Sequence, residues 1–413
     1  MRAKPPLEYS ILYTATLCLL ALGAVMVYSA SSAESLLGGD GDPSRFLKRY
    51  LVLGGVGLVV MHLVSRAGLA RVRAITPLAL LGSFALTAAL MIPGVGVTVN
   101  GATRWLGAGP LQFQPSELLK IALVLYAAQL LAARSPERAT LGALCRPLLL
   151  VVGGASALLL AQPDMGTAIV IWLSIGALLV AAGARTRHLV TLAGALSALA
   201  FVVAIDEPYR RERLTSFLDP WADAGDSGFQ AVQAMIAMGS GGVFGVGLGE
   251  SVQKVFYLPE AHTDMILAII GEEMGLVGVL GLVALYGMIA YGGLRAAKLA
   301  PDRYAKLLAA GLTSLILCQA TLNLFAVMGM VPLTGVPLPF ISFGNSNLIV
   351  LLAGMGVVLD VASGRGRARA GAKGGGPLRA VPGGRDDGAR GDRGGRHGRA
   401  RGAGARDRRR AAG

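Results

Sequence analysis

The side chains best suited to chemistry lie where polar segments meet long apolar ones. Gln253-Lys254-Val-Phe-Tyr-Leu-Pro259-Glu260-Ala-His262-Thr263-Asp264 runs directly into an apolar stretch carrying Glu272 and Glu273 about two turns further on. A carboxylate such as Asp264 at that boundary can accept a proton from a hydroxyl nucleophile. A nearby cation such as Lys254 can stabilise charge that develops on a leaving group. The plain alternative is that Asp264 serves only the first turn of a helix, whose free N–H groups favour acidic side chains. Capping needs one carboxylate, whereas His262, Asp264, Glu272 and Glu273 all fall within a dozen residues. Charged groups embedded in apolar sequence face a cavity or each other, which favours a chemical role for Asp264.

A second set opens another apolar segment: Arg104-Trp105-Leu-Gly, followed by Gln114-Pro115-Ser-Glu117-Leu-Leu-Lys120. Pro115 suits a first helical turn and Glu117 its dipole, while Arg104 and Trp105 suit an anchor at lipid-headgroup depth. Lys120 lies one turn beyond Glu117 on the same face, inside apolar sequence, where an ammonium needs a partner. These residues are candidates for ligand contact as well as for architecture. In Gln162-Pro-Asp164-Met-Gly the favoured reading is a tight turn with Asp164 capping the next helix; a carboxylate lining a polar cavity is the alternative. Pro332-Leu-Thr-Gly-Val-Pro337-Leu-Pro339-Phe-Ile-Ser342-Phe-Gly344-Asn-Ser346-Asn forbids a regular helix, and Ser342, Asn345 and Ser346 can donate hydrogen bonds to a ligand. The glycines of Gly239-Ser-Gly-Gly-Val-Phe-Gly245-Val-Gly247-Leu-Gly249 follow no strand of a βαβ unit and precede no Walker lysine. They point to close backbone packing or a re-entrant turn rather than to a nucleotide.

A membrane must position these groups. Of 413 residues 54% are hydrophobic and 15% charged, too apolar for a surface bathed in water. A helix crosses the hydrocarbon core in about 20 apolar residues, and about ten such runs are expected. Their centres lie near Leu20, Val56, Phe84, Val124, Ala155, Ile175, Ala195, Leu280, Leu315 and Leu351. The expected fold class is an all-α, multi-pass integral membrane protein of the inner membrane. The run from Ile11, preceded by Arg2 and Lys4, resembles a signal peptide but continues to Tyr28 and reads as the first span.

Loop charges set the orientation, because Lys and Arg collect on the cytoplasmic side. Arg66, Arg71 and Arg73, then Arg134, Arg138 and Arg146, then Arg185 and Arg187, then Arg295, Lys298, Arg303 and Lys306 occupy alternate loops. Both termini are therefore expected in the cytoplasm, with the large loop from Asp206 to Glu260, between helices 7 and 8, outside. The net charge of +14 comes largely from the Gly/Arg-rich end of the chain. Residues 1–362 read as the membrane domain and 363–413 as a disordered cytoplasmic tail drawn to anionic membrane lipids, with no nucleic-acid partner. Cys18, Cys145 and Cys318 show no C-x-x-C spacing, so neither a disulfide nor a zinc site is expected.

Arg-Trp with Gln-Pro-Ser-Glu-x-x-Lys, then Gln-Pro-Asp, then Lys254 through Leu-Pro-Glu-Ala-His-Thr-Asp264 with Gly-Glu-Glu-Met-Gly, and finally Pro-Leu-Pro-Phe-Ile-Ser-Phe-Gly resemble, in order, the complete signature of the SEDS family. That family of lipid II polymerases includes FtsW, RodA and SpoVE. The stretch from Ser251 to His262 is more similar to FtsW, and Thr334-Gly-Val-Pro-Leu-Pro to RodA. Asn345 and Asn347 depart from the usual Ser-Tyr-Gly-Gly-Ser-Ser, so no role is carried to them.

The resemblance implies ten transmembrane helices and polymerisation of lipid II into glycan strands at the outer face, during cell division or elongation. It also implies a class B penicillin-binding protein as crosslinking partner, among other divisome or elongasome proteins. It assigns the essential aspartate to Asp264, and the family's Arg-Trp and Glu/Lys positions to Arg104, Trp105, Glu117 and Lys120. With Asp264 as base, Arg104, Lys120 and Lys254 become candidates to stabilise the leaving diphosphate, and Asp164, His262 and Ser342 further substrate contacts. A divalent cation, magnesium or manganese, bridging Asp264 and the diphosphate suits the preference of hard cations for such oxygens; no organic cofactor is expected. A flippase for lipid-linked precursors, which needs the same cavity but no base, and a non-catalytic scaffold for the synthase partner are the rival readings.

Overall fold

The computed structural model describes residues 5–38, 41–99, 102–108, 111–133, 141–187, 189–191, 193–194 and 215–364. The long helices are α1 (Leu7–Leu37), α2 (Arg45–Ala67), α3 (Leu69–Ala89), α4 (Pro115–Ala133), α5 (Leu141–Ala161), α6 (Met165–Ala181), α8 (Ile266–Lys298), α9 (Arg303–Val327) and α10 (Asn345–Ala362), with a shorter α7 (Phe229–Ser240) in the large loop. Among the described residues, seven helices are long and apolar enough to cross a membrane, and Pro147–Ala161 and Met165–Ala181 are shorter apolar helices. Nine of the ten expected centres fall within these helices; Ala195 lies outside the described residues, as does the tail beyond Gly364.

Local sequence explains where the helices begin. Pro115 occupies the first turn of α4, where its missing N–H costs nothing. Asp164 caps α6 by accepting from the Thr167 N–H, and Asp302 caps α9 through the Ala305 N–H at 2.9 Å. α4, α9 and α10 are mostly buried, whereas α2 and α3 turn Val52, Val59, Leu63, Leu78 and Leu81 outward, the apolar face that lipid requires. Small residues let α10 press against α2: a Cβ on Gly57 would lie 2.4 Å from Leu352 Cδ1, and one on Gly356 2.5 Å from the Met61 carbonyl oxygen.

The bundle has two distinct ends. Glu8 at the start of α1 pairs with Arg295 near the end of α8 at 2.7 Å, and the Arg73 guanidinium near the start of α3 lies 5.6 Å from the Tyr304 ring at the start of α9. The cations of the α2–α3 and α8–α9 connections therefore share one end. The polar motifs gather at the other.

Two features depart from the expected all-α chain with an irregular outer loop. The connection from α3 to α4 forms a small antiparallel sheet, β1 (Val97–Val99), β2 (Ala102–Ala108) and β3 (Leu111–Phe113), with Val97 opposite Trp105 and Leu106 opposite Phe113. Alternating β-branched and aromatic residues favour strands here, but in an otherwise helical chain the segment is too short to stand out. The large loop carries the 3-10 helix Pro220–Asp223 and α7, whose Ala234 and Ala237 are buried.

α8 is interrupted at Gly275, which adopts φ 64° and ψ −161°. The glycine-rich segment docks against this break: the N–H groups of Val246 and Gly247 donate to the carbonyls of Glu272 and Glu273, and those of Leu276 and Val277 to Gly242 and Val243. A Cβ at Gly275 would lie 2.4 Å from the Gly245 nitrogen, so only glycine fits. The glycines thus serve close backbone approach. The break also makes Ile266–Met274 a short outer helix preceding the span proper.

Candidate active site

Asp264 sits half-buried at the head of that outer helix. The helix cap is Met265, which makes no side-chain cap bond, and Asp264 directly precedes it. Its main chain is held from below by Asn323 on α9, whose Nδ2 donates to the Asp264 carbonyl at 2.7 Å and to the Val336 carbonyl at 2.8 Å. Two outer segments, 257–264 and 332–343, are thereby clasped by one buried amide. The Phe343 N–H joins them again by donating to the His262 carbonyl at 3.0 Å. Asp264 Oδ2 faces Gly335, where a Cβ would stand 3.8 Å away, and Oδ1 is 3.2 Å from the Thr263 hydroxyl.

The proline-rich loop opposite Asp264 is rigidly gripped. Tyr50 donates its hydroxyl to the Phe340 carbonyl at 2.5 Å and Tyr286 donates to Pro339 at 2.6 Å, holding Phe340 at φ +65°. Ser342, expected as a ligand donor, is buried, and its oxygen accepts the Leu338 N–H at 2.8 Å. It closes the turn instead.

His262 is also buried. Its ring lies between Phe46 and Phe343, with centroids 4.4 and 5.8 Å away, and its Nδ1 is 3.3 Å from Glu34 Oε2. It links α1 and α2 to the Asp264 segment. The same rings carry two cations that sequence reasoning missed: Arg45 lies 5.9 Å from Phe46 and Arg49 5.6 Å from Phe343. Just before them, Asp42 is held down to about 2 by hydrogen bonds from Lys48 and Ser44, and stays charged beside the start of α2.

Lys254 is not available to a leaving group. Its Nζ is 2.9 Å from Glu273 Oε1 and donates to Ser29 Oγ at 3.1 Å and to the Gly249 carbonyl at 2.6 Å, all in a buried setting. Glu272 accepts from the Ser251 hydroxyl and, at 3.0 Å, from the Val252 N–H. These three charges staple residues 249–254 to the break in α8 and to α1. Lys120 is likewise internal: 1% exposed, 3.0 Å from Glu117 Oε1 and donating to Gln319 Oε1 at 2.8 Å. Gln319 passes this on, donating from Nε2 to the Pro337 carbonyl at 2.9 Å. The pair thus supports the proline-rich loop and makes no direct approach to solvent.

Asp164 accepts from Ser116 Oγ at 3.2 Å and Gln114 Nε2 at 3.5 Å besides capping α6, so the turn and the polar cluster are one arrangement. Arg104, half-buried on β2 beside Trp105, donates to the carbonyls of Gln162 and Pro163. The Gln114 N–H donates to Ser346 Oγ at 2.8 Å. Four separate sequence motifs therefore meet at the outer end of the bundle. Gln319 and Asn323 were missed as well: two amides four apart in an apolar helix are the signal that could have found them.

The sequence matches the family model described as cell cycle protein, of the FtsW/RodA/SpoVE group, over residues 10–366. This chain belongs to the FtsW/RodA/SpoVE family. It is 38% identical to stage V sporulation protein E of Bacillus subtilis over 352 residues, covering 85% of this chain and 96% of that one. It is 44% identical over 352 residues to the probable peptidoglycan glycosyltransferase FtsW of Thioalkalivibrio sulfidiphilus, covering 84% and 87%. Among solved structures, a chain from a study of polymerization and crosslinking by a peptidoglycan synthase complex superposes with a TM-score of 0.70 at 32% identity, covering 86% and 97%. The rod shape determining protein RodA of Thermus thermophilus gives 0.62 at 30% identity, covering 86% and 96%. Family membership and apolar helices together make this a multi-pass protein of the cytoplasmic membrane. Cys18 and Cys318, within the matched span, are free thiols.

Proposed function

We propose that this chain is a peptidoglycan glycosyltransferase that lengthens glycan strands from lipid II at the outer face of the membrane, with Asp264 as general base. The observation that carries the reading is the contrast among carboxylates. Glu117 and Glu273 are buried against lysines, Glu272 holds a loop, and Asp164 caps a helix. Of the five, Asp264 is the half-buried one, set between two pinned loops. The names of the FtsW relatives supply the reaction class.

In the proposed step Asp264 takes the proton of an acceptor sugar hydroxyl, whose oxygen attacks the anomeric carbon of the donor. The bond from that carbon to the polyprenyl diphosphate breaks, and the leaving group departs with the electron pair. Arg104 remains the cation to stabilise it from the original set; Arg45 and Arg49, stacked on the rings flanking His262, take the part first given to Lys120 and Lys254. A magnesium or manganese ion at Asp264 would draw its other ligands from diphosphate and water. Among the described residues no three acidic, histidine or cysteine side chains converge.

A class B penicillin-binding protein is the proposed partner, by analogy with the synthase complex whose subunit this chain resembles. The basic residues gathered at one end of the bundle support a reading in which that end faces the cytoplasm. The deciding experiment supplies lipid II to purified full-length protein, alone and with that partner, in the absence of any other glycosyltransferase. Glycan chains of several repeats are the expected product. A flippase or scaffold yields none, and no product from monodisperse protein in either condition would overturn the proposal.

A further inference from the structure

A groove at the basic end has no part in the chemistry above. It lies between α3, α4 and α5, with a volume of about 590 Å³, and its lining includes Arg73, Thr76, Leu80, Phe84, Gln129 and Gly154. Its polar groups are confined to one end. Arg73 is the fifth residue of α3 and Gln129 the fifth from the end of α4, so both lie roughly 6 Å inside their helices at the cytoplasmic side. The Arg73 guanidinium is exposed, rests against Tyr304 and forms no ion pair among the described residues. Gln129 Oε1 is a buried acceptor with no hydrogen-bond partner. The Thr76 hydroxyl is already taken by the Val72 carbonyl at 2.8 Å.

From Arg73 the groove runs along α3 to Phe84, which with Gly154 forms its far end: a Cβ on Gly154 would stand 4.0 Å from Phe84 Cε1. Eleven residues of helix make roughly 16 Å, about half of the 30 Å hydrocarbon core. The groove therefore spans one leaflet. A partner's transmembrane helix crosses both leaflets, so it would run well past the groove. A single acyl chain matches its length and carries its phosphate to the Arg73 end.

We infer that this groove is a binding site for an anionic phospholipid of the inner leaflet, with one acyl chain lying between α3 and α5. Arg73 binds the phosphate, and a rotation of the Gln129 side chain brings its Oε1, buried in the structure, to a headgroup hydroxyl. Arg66, Arg71 and Lys306, exposed at the same end, add to the attraction for anionic over zwitterionic headgroups. Phosphatidylglycerol has the required charge and hydroxyls. The site is independent of the proposed active site, which lies at the opposite end of the bundle.

The test is native mass spectrometry of the full-length protein in detergent, titrated with phosphatidylglycerol or with phosphatidylcholine of the same chains. One phosphatidylglycerol should be retained in preference to phosphatidylcholine. Arg73→Ala, by removing a charge-assisted hydrogen bond, should weaken retention about tenfold, and Arg73→Lys by less. Gly154→Trp should fill the far end of the groove and abolish that molecule's retention, whereas Val52→Trp on the lipid face of α2 should leave it unchanged. Equal retention of the two lipids, no effect of Arg73→Ala or Gly154→Trp in monodisperse protein, or displacement of phosphatidylglycerol by equimolar polyprenyl phosphate would overturn the assignment.

Discussion

Asp264→Asn separates chemistry from architecture at this site. The helix cap is Met265, which the substitution leaves untouched. The Asn323 bond reaches the main-chain carbonyl, which the substitution leaves in place, and the amide oxygen of Asn can still lie beside the Thr263 hydroxyl. Asn keeps the size of Asp and a hydrogen-bonding oxygen, so the stability change should be small, about 0.5 kcal/mol or less. An amide cannot accept the acceptor-sugar proton, however, and loss of a general base costs about 100-fold to 10,000-fold in rate. That corresponds to roughly 3–5 kcal/mol of transition-state stabilisation. The assay compares initial rate and product length on lipid II, with wild-type and variant matched for monodispersity, melting temperature and partner binding. Rate lost with melting unchanged is the expected pattern. A variant polymerising within a few-fold of wild type would remove Asp264 from the mechanism, and a large fall in melting temperature would make it an architectural residue.

Three other predictions follow from the buried polar groups and the charge pattern. Asn323→Ala leaves the buried carbonyls of Asp264 and Val336 without a donor, so it should cost about 1–3 kcal/mol for each and lower kcat more than it raises KM. A thermal melt together with lipid II kinetics checks both, and an unchanged kcat would deny Asn323 any positioning role. Lys254→Met strands the Glu273 carboxylate in a buried setting and should destabilise by about 3–5 kcal/mol. Adding Glu273→Met should recover most of that loss, and a double variant no more stable than the single one would count against the staple. With both termini inside, a cysteine introduced at Asp223 should react with an impermeant thiol reagent in intact cells and one at Arg138 should not; the reverse result would invert the topology.

Much of this protein was legible in its sequence because a bilayer imposes a local test. Each span must be apolar over a fixed length and each inner loop basic, so nine helices could be placed from hydropathy and both ends of the bundle from Arg and Lys alone. The motifs around Arg104, Glu117, Asp164 and Asp264 were visible as charges where lipid disfavours them, and the glycine-rich stretch as close packing.

What each charge does was decided only in three dimensions. Lys120 meets Gln319 across 199 residues, Glu273 meets Ser29 across 244, and Asn323 reaches Asp264 across 59. A buried charge is stabilised by whichever partner stands within about 3 Å, and no local pattern encodes that partner. For the same reason Lys254 and Ser342, which read as ligand contacts, belong to the frame, while Arg45 and Arg49, unremarkable at the start of a helix, stand over the rings beside His262. The break at Gly275 was hidden as well, because hydropathy averages across it and only the docking of Gly245 against that backbone requires it.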